Sequence, residues 1–120
     1  MKRFLVIDND HRMMETLGLA CLDRDVAVEL AENLCEGVRV LLSAAVSLIA
    51  VDARQLRLTA FEHLTLFDRV APGVPVVVLM EAEASLESRV ALELAGFTVI
   101  TKPAAPDDLL KVLATSMGGA

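Results

Sequence analysis

The 120-residue chain has no tryptophan or tyrosine, four phenylalanines and only two cysteines. A hydrophobic fraction of 55% with 3% aromatic residues predicts a core of aliphatic side chains, which is typical of parallel sheets covered on both faces. Cys21 and Cys35 lack C-x-x-C spacing, so we expect them to be reduced and to have no chemical role. The composition therefore favours an α/β domain.

Basic residues and long apolar runs are also scarce. The formal net charge is -6 and the only basic run is Lys2-Arg3, so direct binding of nucleic acid is not expected, because no basic patch could displace counterions. The longest mostly apolar stretch, residues 40–51, is shorter than the roughly 17–25 residues of a membrane helix. The first apolar run, residues 4–7, is shorter than the roughly 7–15-residue core of a secretory signal. We expect a cytoplasmic protein without a membrane partner.

Five strand-like apolar runs alternate with segments of helical period. The runs are residues 3–8, 26–31, 47–52, 75–79 and 97–101. Alternating strands and helices predict right-handed crossovers and one parallel sheet. Because no linker or repeat divides the chain, residues 1–120 are expected to form a single domain, with residues 116–120 as a flexible tail.

Apolar stripes mark the helix faces that can cover such a sheet. The stripe on the fourth helix consists of Leu86, Val90, Ala91 and Leu94. We expect this face to be buried. His11, near the start of the first helix, and His63, on the third, lack metal-ligand spacing, so both are expected to face solvent.

Three of the predicted strands end at or just before a charged residue: Asp8, Asp52 and Lys102. Because the carboxyl ends of parallel strands lie at one edge of the sheet, two carboxylates and one ammonium group are expected to meet there. A structural ion pair between Asp52 and Lys102 is the alternative, since buried charges persist only when paired. The presence of Asp8 at the same edge favours a functional site.

The order and spacing of these residues resemble the receiver domain of two-component response regulators over residues 2–113. The resemblance implies a flavodoxin-like (βα)5 three-layer fold, whose five parallel strands have the order 2-1-3-4-5. It also implies that Asp52 accepts a phosphoryl group from a sensor histidine kinase or a phosphotransfer protein. Lys102 would pair with that group, and the Lys102-Pro103 bond would be cis.

The resemblance further implies a Mg²⁺ cofactor, because a carboxylate that attacks a phosphoryl dianion needs a divalent cation to offset the repulsion. The implied ligands are the side chains of Asp8, Asn9 and Asp52 and the backbone carbonyl of Arg54. Asn9 stands where the family usually has a second acid. We therefore expect a weakened metal site.

Two departures from the family pattern follow the fourth strand. Met80 replaces the usual Ser or Thr that hydrogen-bonds the phosphoryl group, and methionine has no donor; Glu81 replaces a small residue. These changes predict inefficient phosphoryl acceptance. The alternative is a pseudo-receiver, a phosphorylation-independent interaction module that docks an output protein or domain through helix 4, strand 5 and helix 5. The oligomeric state stays open, a homodimer included.

An enzymatic interpretation is the third alternative. Asp8-Asn9-Asp10 after an apolar strand matches the D-x-D nucleophile motif of haloacid-dehalogenase-like phosphatases, although Arg12 stands where that family has Thr or Val. A flavodoxin-type mononucleotide site is disfavoured, because the first loop lacks Ser, Thr and Gly donors. We expect no enzyme activity beyond phosphoryl acceptance and self-dephosphorylation.

Overall fold

The computed structural model describes the backbone of residues 2–118 and the side chains of residues 2–116. The strands are β1 (Lys2–Ile7), β2 (Val26–Ala31), β3 (Leu48–Asp52), β4 (Val76–Met80) and β5 (Thr98–Thr101). The helices are α1 (His11–Leu22), α2 (Leu34–Ser43), α3 (Ala60–Val70), α4 (Leu86–Ala95) and α5 (Pro106–Gly118). A short 3-10 turn, Ala53–Gln55, follows β3.

The five strands form one parallel sheet in the order β2-β1-β3-β4-β5. Alternate residues of each central strand point to opposite faces. On one face Phe4 and Val6 pack with residues of α1 and α5, and on the other Leu5 and Ile7 pack with residues of α2 and α3. The predicted fold class, three layers with this strand order, is confirmed.

Side-chain caps fix where four of the helices begin. Each cap accepts a hydrogen bond from the backbone N–H three residues later; the caps are Asp10, Asn33, Thr59 and Ser85. Such caps satisfy N–H groups that have no partner within the helix. None of the helices in residues 2–118 is long and apolar enough to cross a membrane.

A glycine allows α2 to lie close to β1. A Cβ atom at Gly37 would collide with Cδ1 of Ile7 and would lie 2.8 Å from its Cγ1. Cβ atoms do not approach other carbons this closely in packed interiors. The contact between α2 and the site-bearing strand therefore depends on the missing side chain of Gly37.

His63 is buried, so the prediction that it faces solvent is wrong. Its exposed fraction is 1%, and it lies one turn from the buried Phe67 on α3. The Nε2 atom accepts a hydrogen bond of 2.8 Å from the backbone N–H of Leu58. This bond gives one of the two ring nitrogens a partner, whereas Nδ1 is buried without one among the described residues. Burial also lowers the pKa of His63, with Glu62 opposing the shift. By contrast, His11 is exposed as predicted.

The stripe on α4 faces solvent, so the prediction that it covers the sheet is also wrong. Leu86, Val90 and Leu94 are 75%, 42% and 83% exposed. The helix instead packs against the core through Leu92 and Ala95. Helical periodicity shows which residues share a face, but a helix with apolar residues on two faces does not reveal which one meets the sheet.

The last helix continues into the segment that was expected to be a tail. Because α5 continues to Gly118, residues 116–118, which were expected in a flexible tail, are helical. Residues 119–120, the rest of that expected tail, lie outside the described residues.

Candidate functional site

The structure brings Asp8, Asp52 and Lys102 together at the carboxyl edge of the sheet. Asp8 follows β1, Asp52 ends β3, and Lys102 follows β5. The Lys102 Nζ atom lies 2.9 Å from Oδ2 of Asp8 and 3.2 Å from Oδ1 of Asp52. The Lys102-Pro103 bond is cis, as expected.

Both carboxylates are buried. Asp8 is 0% exposed and Asp52 is 1% exposed. Ionised carboxylates are costly inside a protein unless cations and hydrogen-bond donors surround them. Burial by itself lowers the pKa of Lys102, but the hydrogen bond to Asp8 and the charges of Asp52 and Asp8 outweigh it, so this pKa is raised. The ammonium group therefore stays charged and offsets part of the buried negative charge.

A second cation enters the site through the side chain of Arg54, to which sequence reasoning assigns only a backbone role. Asp52 caps the turn after β3, because its Oδ1 atom accepts a hydrogen bond of 3.4 Å from the backbone N–H of Arg54. The Arg54 Nε atom then lies 2.9 Å from Oδ2 of Asp52, and Nη2 lies 3.9 Å from Oδ1 of Asp8. The hydrogen bond and the charge of Asp52 raise the pKa of Arg54. The Asp-x-Arg spacing is the sequence signal for this contact.

A third carboxylate lies at the mouth of the site. Glu81 follows β4, and its Oε1 atom lies 3.4 Å from Nζ of Lys102 and 3.7 Å from Nη2 of Arg54. Sequence reasoning identifies the bulk and charge of this residue but not its partners. We refer to Asp8, Asp52, Glu81, Lys102 and Arg54 as the ion network. It contains three carboxylates and two cations.

The remaining predicted site residues are not part of the ion network. Met80 is buried in the core cluster on the α2 and α3 side of the sheet. It also lines a cavity of about 400 Å³ together with Asp52 and Arg54. Asn9 is exposed, and the carboxylate of Asp10 accepts the N–H of Met13 as the cap of α1. Asp10 thus caps a helix and is not part of the ion network that contains Asp8, whereas the D-x-D interpretation expects both carboxylates at one site.

Protein groups contact both carboxylates that the implied divalent cation would need. Oδ2 of Asp8 faces Lys102, while Oδ1 accepts the N–H of Asp10 at 3.0 Å. The two oxygens of Asp52 face Lys102 and Arg54. Among the described residues, no three His, Cys, Asp or Glu side chains are grouped to hold a metal ion. Lys102 and Arg54 thus lie within 4 Å of the carboxylate oxygens that the implied Mg²⁺ would need, and Oδ2 of Asp8 has no partner with hydrogen-bond geometry among the described residues.

Comparison with known sequences points to one family. The family model described as "Response regulator receiver domain" matches residues 4–114. The transcriptional regulatory proteins GlrR of Escherichia coli (strain K12) and QseF of Escherichia coli O157:H7 are each 32% identical over 110 residues. The match covers 91% of this chain but 24% of each relative. The chain thus spans about a quarter of the length of the curated relatives that it matches.

Solved structures share the same fold. A CheY-like response regulator receiver domain protein from Methanospirillum hungatei JF-1 has a TM-score of 0.80 and 25% identity, covering 100% of this chain and 99% of that one. A Burkholderia pseudomallei response regulator, solved with a phosphorylated aspartic acid, a calcium ion and citrate, has a TM-score of 0.79 and 24% identity. That match covers 99% of this chain and 71% of the other.

Proposed function

Because the chain belongs to the response regulator receiver domain family, we propose that it is a signalling module whose docking to an output protein does not depend on phosphorylation of Asp52. The observation that carries this proposal is that protein cations engage both oxygens of Asp52: Nε of Arg54 at 2.9 Å and Nζ of Lys102 at 3.2 Å. Contact with these two cations lowers the nucleophilicity of the carboxylate, because charge-assisted interactions stabilise its negative charge.

The position of Met80 supports the same proposal. Its thioether occupies the end of β4, where the family usually has a hydroxyl that hydrogen-bonds the phosphoryl group. A thioether is a weak acceptor and has no donor. A phosphoryl group on Asp52 would therefore lack the contact that normally couples it to the rest of the domain.

The docking surface that we propose is the face formed by α4, β5 and α5. On α4 the side chains of Leu86, Val90 and Leu94 form an exposed apolar stripe at i, i+4, i+8 spacing. Exposed apolar patches on small domains commonly mark surfaces that bind other proteins. The exposed Glu87 in the first turn of α4 gives this surface an acidic edge. An apolar partner surface with a basic edge would complement it.

Acetyl phosphate and beryllofluoride, each supplied with MgCl₂, test whether the docking state depends on phosphorylation. We expect no gain of a phosphoryl group by mass spectrometry and no amide chemical-shift change on α4 or β5 by NMR. Asp52→Asn is the control for reaction at other residues. A phosphoryl group that is added to the wild type, is absent from Asp52→Asn and shifts the amide signals of α4 or β5 would contradict the proposal.

The docking surface is tested with immobilised domains. A partner captured from a lysate of the source organism should bind the wild type and Asp52→Asn equally, and should be lost with Leu94→Ser. Leu42→Ser is the matched control, since Leu42 on α2 is similarly exposed, at 71%. Loss of the partner with Asp52→Asn would instead indicate a phosphorylation-dependent interaction.

Slow phosphoryl acceptance by Asp52 is the second candidate function. The observation that favours it is the contact of Lys102 with both Asp8 and Asp52, because an ammonium group there could pair with a phosphoryl group on Asp52. Arg54 would first have to leave Asp52, and its side chain is 59% exposed. The mass-spectrometric experiment distinguishes the two candidates, since only this one predicts a modified Asp52.

A further inference from the structure

The ion network has a charge requirement that Lys102 alone does not meet. Asp8 and Asp52 contribute two buried negative charges, and Lys102 contributes a single positive charge from a side chain that is 9% exposed. Buried carboxylates stay ionised only if cations compensate them. The second positive charge within 4 Å of these oxygens, among the described residues, belongs to Arg54.

We propose that the guanidinium group of Arg54 is a built-in cation that takes the place of a divalent metal at Asp8 and Asp52, so that the wild-type domain is indifferent to Mg²⁺. This inference rests on the proposed function in so far as both assign the oxygens of Asp52 to protein cations. Cation binding and partner docking are measured separately, so either proposal can fail alone.

The contacts of Arg54 reach all three carboxylates of the ion network. Nε lies 2.9 Å from Oδ2 of Asp52, Nη2 lies 3.9 Å from Oδ1 of Asp8, and the same Nη2 lies 3.7 Å from Oε1 of Glu81. The planar guanidinium fork suits several carboxylates at once. Nη2 thereby contacts both the buried Asp8 and the half-exposed Glu81, while Nε contacts Asp52.

A tethered cation has two advantages over a free Mg²⁺ ion at this place. Mg²⁺ must give up part of a tightly held water shell before a carboxylate can bind it. Arg54 is only two residues from Asp52, so its local concentration near the carboxylate is high and independent of the metal supply. Its charge is also permanent, because guanidinium does not lose its proton under physiological conditions.

Removal of the Arg54 side chain should therefore create a cation site. In Arg54→Ala, Lys102 would be the one cation left within 4 Å of Asp8, Asp52 and Glu81 among the residues that the structure describes. We expect the affinity for Mg²⁺ to rise at least about tenfold over the wild type. The rise is modest because the Arg54 side chain is more than half exposed, so solvent screens its charge in the wild type.

The measurement is a titration of each protein with MgCl₂ at constant ionic strength, followed by the urea unfolding midpoint from circular dichroism and by NMR amide shifts at the sheet edge. The wild-type midpoint should not respond to Mg²⁺, and that of Arg54→Ala should rise. Arg57→Ala is the matched control, since Arg57 is exposed and has no ion pair among the residues that the structure describes. It should behave as the wild type does.

Two further variants keep the inference falsifiable. Asp52→Asn combined with Arg54→Ala should abolish the gained affinity, which would locate it at the network. Arg54→Lys retains one positive charge, so its Mg²⁺ affinity should stay near that of the wild type. Wild-type affinity equal to that of Arg54→Ala would overturn the inference. So would an Arg54→Ala protein whose urea midpoint Mg²⁺ does not raise, or an Arg54→Lys protein that gains as much affinity as Arg54→Ala.

Discussion

Replacement of Lys102 by methionine tests how much stability the ion network holds. Methionine keeps most of the apolar stem of lysine and removes its charge. Asp8 would be affected most, because its remaining cation is Nη2 of Arg54 at 3.9 Å, whereas Asp52 keeps Nε of Arg54 at 2.9 Å. Since both carboxylates are buried, we expect a loss of about 3–5 kcal/mol in the free energy of unfolding.

A second substitution separates charge from packing. If the loss arises because Asp8 is left buried without its nearest cation, Asp8→Asn in the Lys102→Met background should recover stability. The amide oxygen of the asparagine can still accept a hydrogen bond from the backbone N–H of Asp10. The double-mutant cycle should give a coupling energy of roughly 1–3 kcal/mol between Lys102 and Asp8. Lys111→Met, at an exposed lysine on α5, should change stability by less than about 0.5 kcal/mol.

Urea unfolding at neutral pH, followed by far-ultraviolet circular dichroism, is the assay, since the chain has no tryptophan or tyrosine for fluorescence. The dependence of the free energy on urea concentration should stay the same in all variants, so that midpoints can be compared. The reasoning is refuted if Lys102→Met is as stable as Lys111→Met. It is also refuted if Asp8→Asn destabilises the Lys102→Met protein further.

Two other perturbations test the buried imidazole and the close packing of α2. Because burial lowers the pKa of His63, stability should fall as the pH drops below about 6.5, where the unfolded chain takes up the proton more readily than the folded one. His63→Gln keeps an acceptor for the N–H of Leu58 without titrating, so its urea midpoint should depend less on pH; equal dependence would contradict this. Gly37→Ala should cost about 1–3 kcal/mol in thermal unfolding because its Cβ meets Ile7. Gly18→Ala should raise the free energy of unfolding by up to about 1 kcal/mol, because a Cβ atom at Gly18 would have no neighbouring atom within 4 Å. Stability changes of the same sign in Gly37→Ala and Gly18→Ala would contradict this reasoning.

The fold could be predicted from the sequence because its main signals are local. Apolar runs with turn residues between them locate the five strands, and parallel connection places Asp8, Asp52 and Lys102 at one edge whatever the side-chain details. The predicted strand boundaries differ from the observed ones by one residue or less at either end.

The expectations that were wrong or incomplete concern the directions of side chains, which the pattern of apolar and polar residues does not encode. The rotation of α4 about its axis exposes Leu94, since small shifts in helix packing decide which of two apolar faces meets the sheet. His63 is buried, and its Nε2 atom accepts a hydrogen bond from the backbone N–H of Leu58, a contact that depends on the path of the loop before α3. The long side chain of Arg54 can reach several places from one backbone position, so its contact with Asp52 depends on the turn after β3.

The ion network also ties the stability of the domain to the completeness of its chain. Asp8 lies just after the first strand, whereas Lys102 lies just beyond the last. During synthesis the strands carrying both buried carboxylates emerge from the ribosome long before this ammonium group does. A product that stopped before β5 would leave β4 as an open sheet edge and Asp8 without its nearest cation. Such truncated chains should be recognised and degraded by cellular proteases more readily than the full domain.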